Sequence, residues 1–154
     1  PFIAAVNVYD RSSKAYVKAL DETFAMDIPI THFPAGEVSR VYNKKIQDTE
    51  WQKSFIKKAI SNNRAIVPIY FYGRNSLLFY TIFSLRRLFH IKVNLELMLL
   101  PREIFKKRNE TVRVIVGEPI AHQMFVNTKS HRDLAQNVRS SVYNLRNMNP
   151  SAVL

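Results

Sequence analysis

The chain predicts an α/β domain in which helices cover a largely parallel sheet. Residues 1–147 read as one domain and 148–154 as a loose tail. Three observations lead there. Apolar segments rich in β-branched and aromatic residues alternate with amphipathic helical ones, in the order β-α-β-α-β-α-α-β-α. The segment 65–72 (AIVPIYFY) is apolar on both faces, which suits a central parallel strand covered on both sides. The 154 residues, 47% of them hydrophobic, suffice for one domain with its own core but not for two.

Each element has its own reason. Residues 2–9 (FIAAVNVY) form a buried strand, broken by Asp10-Arg11-Ser12-Ser13. Ser12 or Ser13 caps a helix whose apolar face is Ala15, Val17, Leu20 and Phe24. Residues 28–33 form a second strand. The polar stretch 41–50 reads as a loop. Trp51, Phe55, Ala59 and Ile60 recur at helical spacing over 51–62, with Thr49 as N-cap and Trp51 as a core anchor. The third strand, 65–72, holds Pro68, which removes a ladder donor and demands an unpaired side or a bulge. Residues 77–90 and 93–105 are helical, the second broken or kinked at Pro101. Residues 111–116 (TVRVIV) alternate as a fourth strand. Leu134, Val138, Val142 and Leu145 form one stripe of a last helix over 129–147, capped by Thr128 or Ser130.

Composition narrows the chemistry. There is no Cys, so disulfides and thiolate metal sites are excluded, and no metal site is expected. The net charge of +11 points to an anionic partner. Nucleic acid is not expected, because no RNP, KH, zinc or recognition-helix signature is present. A signal peptide is not expected, and the apolar runs are too short for a bilayer-spanning helix. In 77–108, apolar bulk lies beside Arg86, Arg87, Lys92, Arg102, Lys106, Lys107 and Arg108. That mixture fits either a helix on an anionic membrane surface or a core helix with a basic outer face.

The stretch His32-Phe33-Pro34-Ala35-Gly36-Glu37-Val38-Ser39-Arg40 concentrates the most chemistry. Pro34 fixes φ and Gly36 permits φ > 0, so the chain turns sharply and projects Glu37, Ser39 and Arg40 from a strand's carboxyl end, where open α/β sheets hold ligands. Glu37 can hold a ligand or accept local backbone N–H groups. Arg40 with Arg11 would make a phosphate site. Arg74 and Asn75 leave the third strand at the same predicted edge, although Asn after Gly commonly only turns the chain.

Phe33-Pro34-x-Gly36-x-x-Ser39-Arg40 resembles the FPEGT-type motif of the glycerolipid and lysophospholipid acyltransferases. It is similar still more closely to the FPAGE-x-SR variant of their hemolysin-like, lyso-ornithine-lipid branch. Val8-Tyr9-Asp10-Arg11 resembles the superfamily's second block, and Ile66-Val67-Pro68-Ile69-Tyr70-Phe71 with Gly73-Arg74-Asn75-Ser76 its fourth. Trp51 with Phe55-Ile56-Lys57, and Val114-Ile115-Val116-Gly117-Glu118-Pro119-Ile120, follow in the branch's order. The FPEGTRS form sets its Arg two positions before Arg40.

The resemblance implies a glycerol-3-phosphate acyltransferase-like fold. It also implies transfer of a fatty acyl chain from acyl-CoA or acyl carrier protein, as co-substrate, to a lysolipid or glycerol-phosphate hydroxyl, with no cofactor. It places the acceptor and phosphate side on Arg11, Gly36, Glu37, Ser39, Arg40, Arg74 and Asn75. The family's general base is the His of an HxxxxD block upstream of the Asp-Arg block. His32, His90, His122 and His131 are followed five places on by Glu37, Leu95, Asn127 and Gln136, so none supplies it. The start at Pro1, without Met, adds the expectation that the block lies in an N-terminal part before this chain, which alone would be inactive. The implied partners are a lipid substrate, an anionic membrane surface and acyl carrier protein. The implied location is cytoplasmic, peripheral at the inner face of the membrane. The competing reading is a non-catalytic module that docks on anionic membranes or on a partner.

Overall fold

The computed structural model describes residues 14–126 and 130–147. The predicted strand 2–9, Arg11, the caps Ser12, Ser13 and Thr128, and the tail lie outside them. The described elements are α1 (Lys14–Ala25), β1 (Arg40–Tyr42), β2 (Lys45–Gln47), α2 (Ser54–Ser61), β3 (Ile69–Phe71), α3 (Leu77–Leu88), a 3-10 turn (Leu95–Leu99), α4 (Leu100–Lys106), β4 (Val114–Val116), α5 (Gln123–Val126) and α6 (His131–Leu145).

The mixed α/β character is present, but the described strands do not form a largely parallel sheet. They make two separate antiparallel pairs, β1 with β2 and β3 with β4. Tyr70 stands opposite Ile115, and a bridge pairs Ile66 with Ile120. The connection between β3 and β4 holds two helices and a 3-10 turn, not the single crossover helix that joins neighbouring parallel strands. Pro68 sits just before β3 and needs no bulge. Its carbonyl accepts from Gly117 N–H at 2.8 Å, the one ladder role a proline keeps. Ile115 turns inward, whereas Ile69, Phe71, Val114 and Val116 remain exposed.

The core sits between α2, α5 and α6. Trp51, Phe55, Ile56, Phe125, Leu134, Ala135, Val138 and Val142 form one buried cluster, so the predicted α6 stripe is inward-facing. Ser130 caps α6 by accepting from Asp133 N–H at 3.2 Å. The side-chain amide of Gln136 on α6 clamps Trp51 from both ends, accepting from its N–H at 3.3 Å and donating to its carbonyl at 2.9 Å. A Cβ on Gly117 would lie 3.0 Å from both Leu145 and Pro68, so this position brings β4 close to α6.

Several local expectations change. Residues 28–33 are not a strand. Pro29 has no N–H to donate, and Arg64 takes the carbonyls of Phe24, Met26 and Ile28, so a guanidinium ties this stretch down in place of a ladder. The predicted loop 41–50 contains the β1–β2 hairpin, closed by Asn43 and Lys44 at φ 51° and 61°, the left-handed pair that a two-residue hairpin turn requires. Thr49 does not cap α2; its hydroxyl donates to Ala35 O at 3.5 Å, and the N-cap position is Lys53. Pro101 stands in the first turn of α4 and begins that helix instead of breaking a longer one.

Candidate functional site

The turn 32–40 is built by its own residues. Gly36 N–H donates to Phe33 O at 3.1 Å, closing a β-turn with Pro34 in its first central position. Gly36 then takes φ 67°, which a side chain would strain. Pro34 is buried, and its carbonyl accepts from Gln52 N–H at 3.0 Å, so the turn is pinned to the entry of α2.

Beyond the turn, Arg40 points into the protein. It is 2% exposed, pairs with Glu37, and its Nε donates to Glu96 Oε1 at 3.0 Å. Glu96, on the 3-10 turn, is 0% exposed and also meets Arg86 Nε of α3 at 2.9 Å. The guanidinium carbons of Arg40, Arg86 and Arg87 lie 5.6, 5.5 and 5.8 Å from the centre of the Phe83 ring. One carboxylate thus serves two guanidiniums against an aromatic face that favours cations. Burial pulls the Arg40 pKa down, but Glu37 and Glu96 outweigh it and hold the pKa above its usual value. Arg40 is therefore a permanent internal cation that joins the turn to α3.

Ser39 is drawn elsewhere. Its hydroxyl donates to Asp48 Oδ1 at 2.5 Å, and the other Asp48 oxygen accepts from Trp51 Nε1 at 3.0 Å. Asp48 N–H donates to the Tyr143 hydroxyl at 2.8 Å, and Arg139 donates to Asp48 O at 2.8 Å. Burial pushes the Tyr143 phenol up. Beside this hub lies an open hollow of about 520 Å³ lined by Tyr42, Gln47, Glu50, Gln136 and Arg139 among others.

Arg74 and Asn75 belong to a different place. Arg74 is exposed, and Asn75 N–H donates to the Tyr80 hydroxyl at 3.0 Å as the chain turns into α3. Ser76 caps α3, and both its N–H and its hydroxyl donate to Glu103 at 2.6 Å. The Ser76 hydroxyl leads in holding the Glu103 carboxyl below the usual carboxylate range, against the opposing effect of burial. Ser76 precedes Phe83 by seven residues, roughly 10 Å of helical rise. The structure thus brings Gly36, Glu37, Ser39 and Arg40 together and sets Arg74 and Asn75 apart, at the other end of α3. Arg11 lies outside the described residues.

Glu96 and Asp48 organise the site and were not singled out from the sequence. Glu96 carried a signal: a lone carboxylate in the apolar run LELMLL implies a buried partner. Asp48 carried none. Among the described residues, no group of His, Asp and Glu is arranged to hold a metal ion, and no helix is long and apolar enough to cross a membrane.

The turn 32–40 thus gathers a carboxylate, a hydroxyl and an inward guanidinium on one short pinned segment. The acyltransferase family model matches residues 1–151, and the chain belongs to that family. Among its relatives is a lyso-glycine lipid O-acyltransferase of Phocaeicola vulgatus, 37% identical over 145 residues that cover 94% of this chain and 52% of that protein. The lyso-glycine lipid O-acyltransferase of Bacteroides thetaiotaomicron is likewise 37% identical over 145 residues, covering 94% of this chain and 53% of its own length. The chain thus spans about half the length of these relatives. No solved structure matches it.

Proposed function

We propose that the protein containing this chain transfers a fatty acyl group from a thioester donor, acyl-CoA or acyl carrier protein, to the hydroxyl of a lysolipid. The turn 32–40 would lie on the acceptor side. The acceptor oxygen attacks the thioester carbonyl, an ester forms, the carbon–sulfur bond breaks, and the donor leaves as a thiol while a general base takes the hydroxyl proton. None of the four His residues here has the family's HxxxxD spacing, so the base is to be sought in the length of the relatives that this chain does not cover.

The observation that carries the reading is the match over 94% of the chain to two proteins named for O-acylation of a lyso-glycine lipid. It favours a lysolipid with an amino-acid headgroup over a glycerol phosphate. The acceptor is a membrane lipid and the donor is water-soluble, so we place the protein peripherally on the cytoplasmic face.

The test uses the full-length protein, acyl-CoA or acyl carrier protein as donor, and lyso-glycine lipid or lysophosphatidic acid as acceptor, with ester product followed by mass spectrometry. Diacylated glycine lipid is the expected product. Absence of product with either donor would overturn the acyltransferase reading. Membrane binding without transfer would leave the non-catalytic docking module in its place.

A further inference from the structure

We propose that the outer face of α3, continued by the end of α4, is the surface through which this protein lies on an anionic bilayer. The proposal deepens the lipid-acyltransferase reading by naming the docking face, but its evidence is independent of any acyl transfer. Helix α3 buries Phe79, Tyr80 and Phe83. Its opposite face carries Leu77, Leu78, Leu85 and Leu88, which are 82%, 44%, 47% and 68% exposed. At 100° per residue these four leucines fall within an arc of about 100°. A helix that borders water places charged and polar residues on that arc; here the arc holds the four leucines with Thr81 among them, and Arg86 and Arg87 lie outside it. Glu103 ties α4 to Ser76, the N-cap of α3, and the next two residues, Ile104 and Phe105, are 71% and 74% exposed.

Charge identifies the occupant. Residues 77–108 contain two acidic side chains, Glu96 and Glu103, and both are buried. The same segment has seven Lys and Arg, of which Arg87, Lys92, Arg102, Lys106 and Arg108 are exposed. Its surface therefore shows apolar side chains and positive charge, with the carboxylates withdrawn. A second copy would bring cations against cations. Packing within a longer protein would bury the apolar arc, and the cations would then need carboxylates from that other part. An anionic bilayer meets both requirements: leucines enter the headgroup–acyl boundary while Lys and Arg heads reach lipid phosphates. The geometry also connects this face to the acceptor turn, since the inner side of α3 contacts Arg40 through Phe83 and shares Glu96 with it through Arg86.

Flotation of the full-length protein on a density gradient tests the assignment, because vesicle-bound protein rises whereas aggregates sink. The protein should float with vesicles of equal parts phosphatidylcholine and phosphatidylglycerol, and not with phosphatidylcholine alone. The triple variant Leu77→Gln, Leu88→Gln, Phe105→Gln should keep its circular dichroism spectrum and lose at least about tenfold in bound fraction. The triple variant Arg102→Gln, Lys106→Gln, Arg108→Gln should bind weakly and lose its sensitivity to salt. Three outcomes would overturn the assignment: undiminished flotation of the leucine-phenylalanine variant, equal binding to neutral vesicles, or loss of helical signal or of a dimer in that variant. Transfer to detergent-dispersed lysolipid by the full-length protein should survive the same substitutions. Failure of the docking face and failure of the enzyme reading are thereby read separately.

Discussion

Glu96 is the side chain whose removal has the largest expected effect. It is 0% exposed and sits between Arg40 and Arg86, so its loss leaves two guanidiniums facing each other across Phe83. Glu96→Leu and Arg40→Met should each cost up to about 3 kcal/mol in urea unfolding, because each leaves a buried charge with one partner where it had two: Arg40 keeps Glu37, and Glu96 keeps Arg86. The double variant should cost less than the sum by about 0.5–3 kcal/mol, and strict additivity would show that the two do not act as a pair. A second prediction concerns acid. The Ser76 hydroxyl holds the Glu103 carboxyl below the ordinary carboxylate range, so between the folded and unfolded values the unfolded chain binds more protons than the folded one. The stabilisation is fully present above the unfolded value, about 4.3, and is lost as pH falls through the lower folded value. Ser76→Ala should cost about 1 kcal/mol at neutral pH. It should also flatten the acid limb, so that melting temperature falls less between about pH 5 and pH 3 than in the parent. Parallel curves would separate Glu103 from the acid sensitivity.

Among the elements, what periodicity can express was legible. The α6 stripe Leu134, Val138, Val142 and Leu145 is buried as its spacing requires. The FPAGE-x-SR motif located the pinned turn, because Pro34 and Gly36 act locally. Strand partners were less legible, since an apolar run such as 65–72 does not encode its pairing, and two helices in the connection to β4 deliver an antiparallel neighbour. The β1–β2 hairpin was hidden for a specific reason. Its turn is Asn43-Lys44, not Asn-Gly, yet Lys44 takes φ 61°. Lys44→Gly should therefore stabilise the protein, by about 0.5–1 kcal/mol, through relief of left-handed strain. Gly36→Ala, at φ 67°, should act in the opposite direction by about 1 kcal/mol. Thermal midpoints that move in the same direction for both would contradict this account of the two turns. Arg40 shows why a site residue was the hardest to read: its guanidinium looked outward in the motif, and only the distant Glu96 reveals that it faces in.

At the scale of the whole molecule, two groups of elements share the chain unequally. The α2–α5–α6 core is apolar and holds the buried cluster of Trp51, Phe55, Ile56, Phe125, Leu134, Ala135, Val138 and Val142. The β1–β2 hairpin, α3, the 3-10 turn and α4 are held substantially by ionic and polar links: Arg40–Glu96, Arg86–Glu96 and Ser76–Glu103. Regions with fewer buried apolar contacts open at lower free energy, and charge-linked elements open together when the shared link is cut. Hydrogen exchange should accordingly find the slowest amides in α2 and α6. In Arg40→Met, exchange should quicken in the hairpin and at Leu97, whose N–H donates to Asn94 O at 3.0 Å. At Val138, exchange should stay near the parent rate. The contrast separates a local link from a global one: if Val138 quickens as much as Leu97, Arg40 stabilises the whole fold. If only the hairpin and the 3-10 turn respond, Arg40 is a local link between the turn 32–40 and α3, and displacing α3 would be felt at that turn through Arg40 and Glu96.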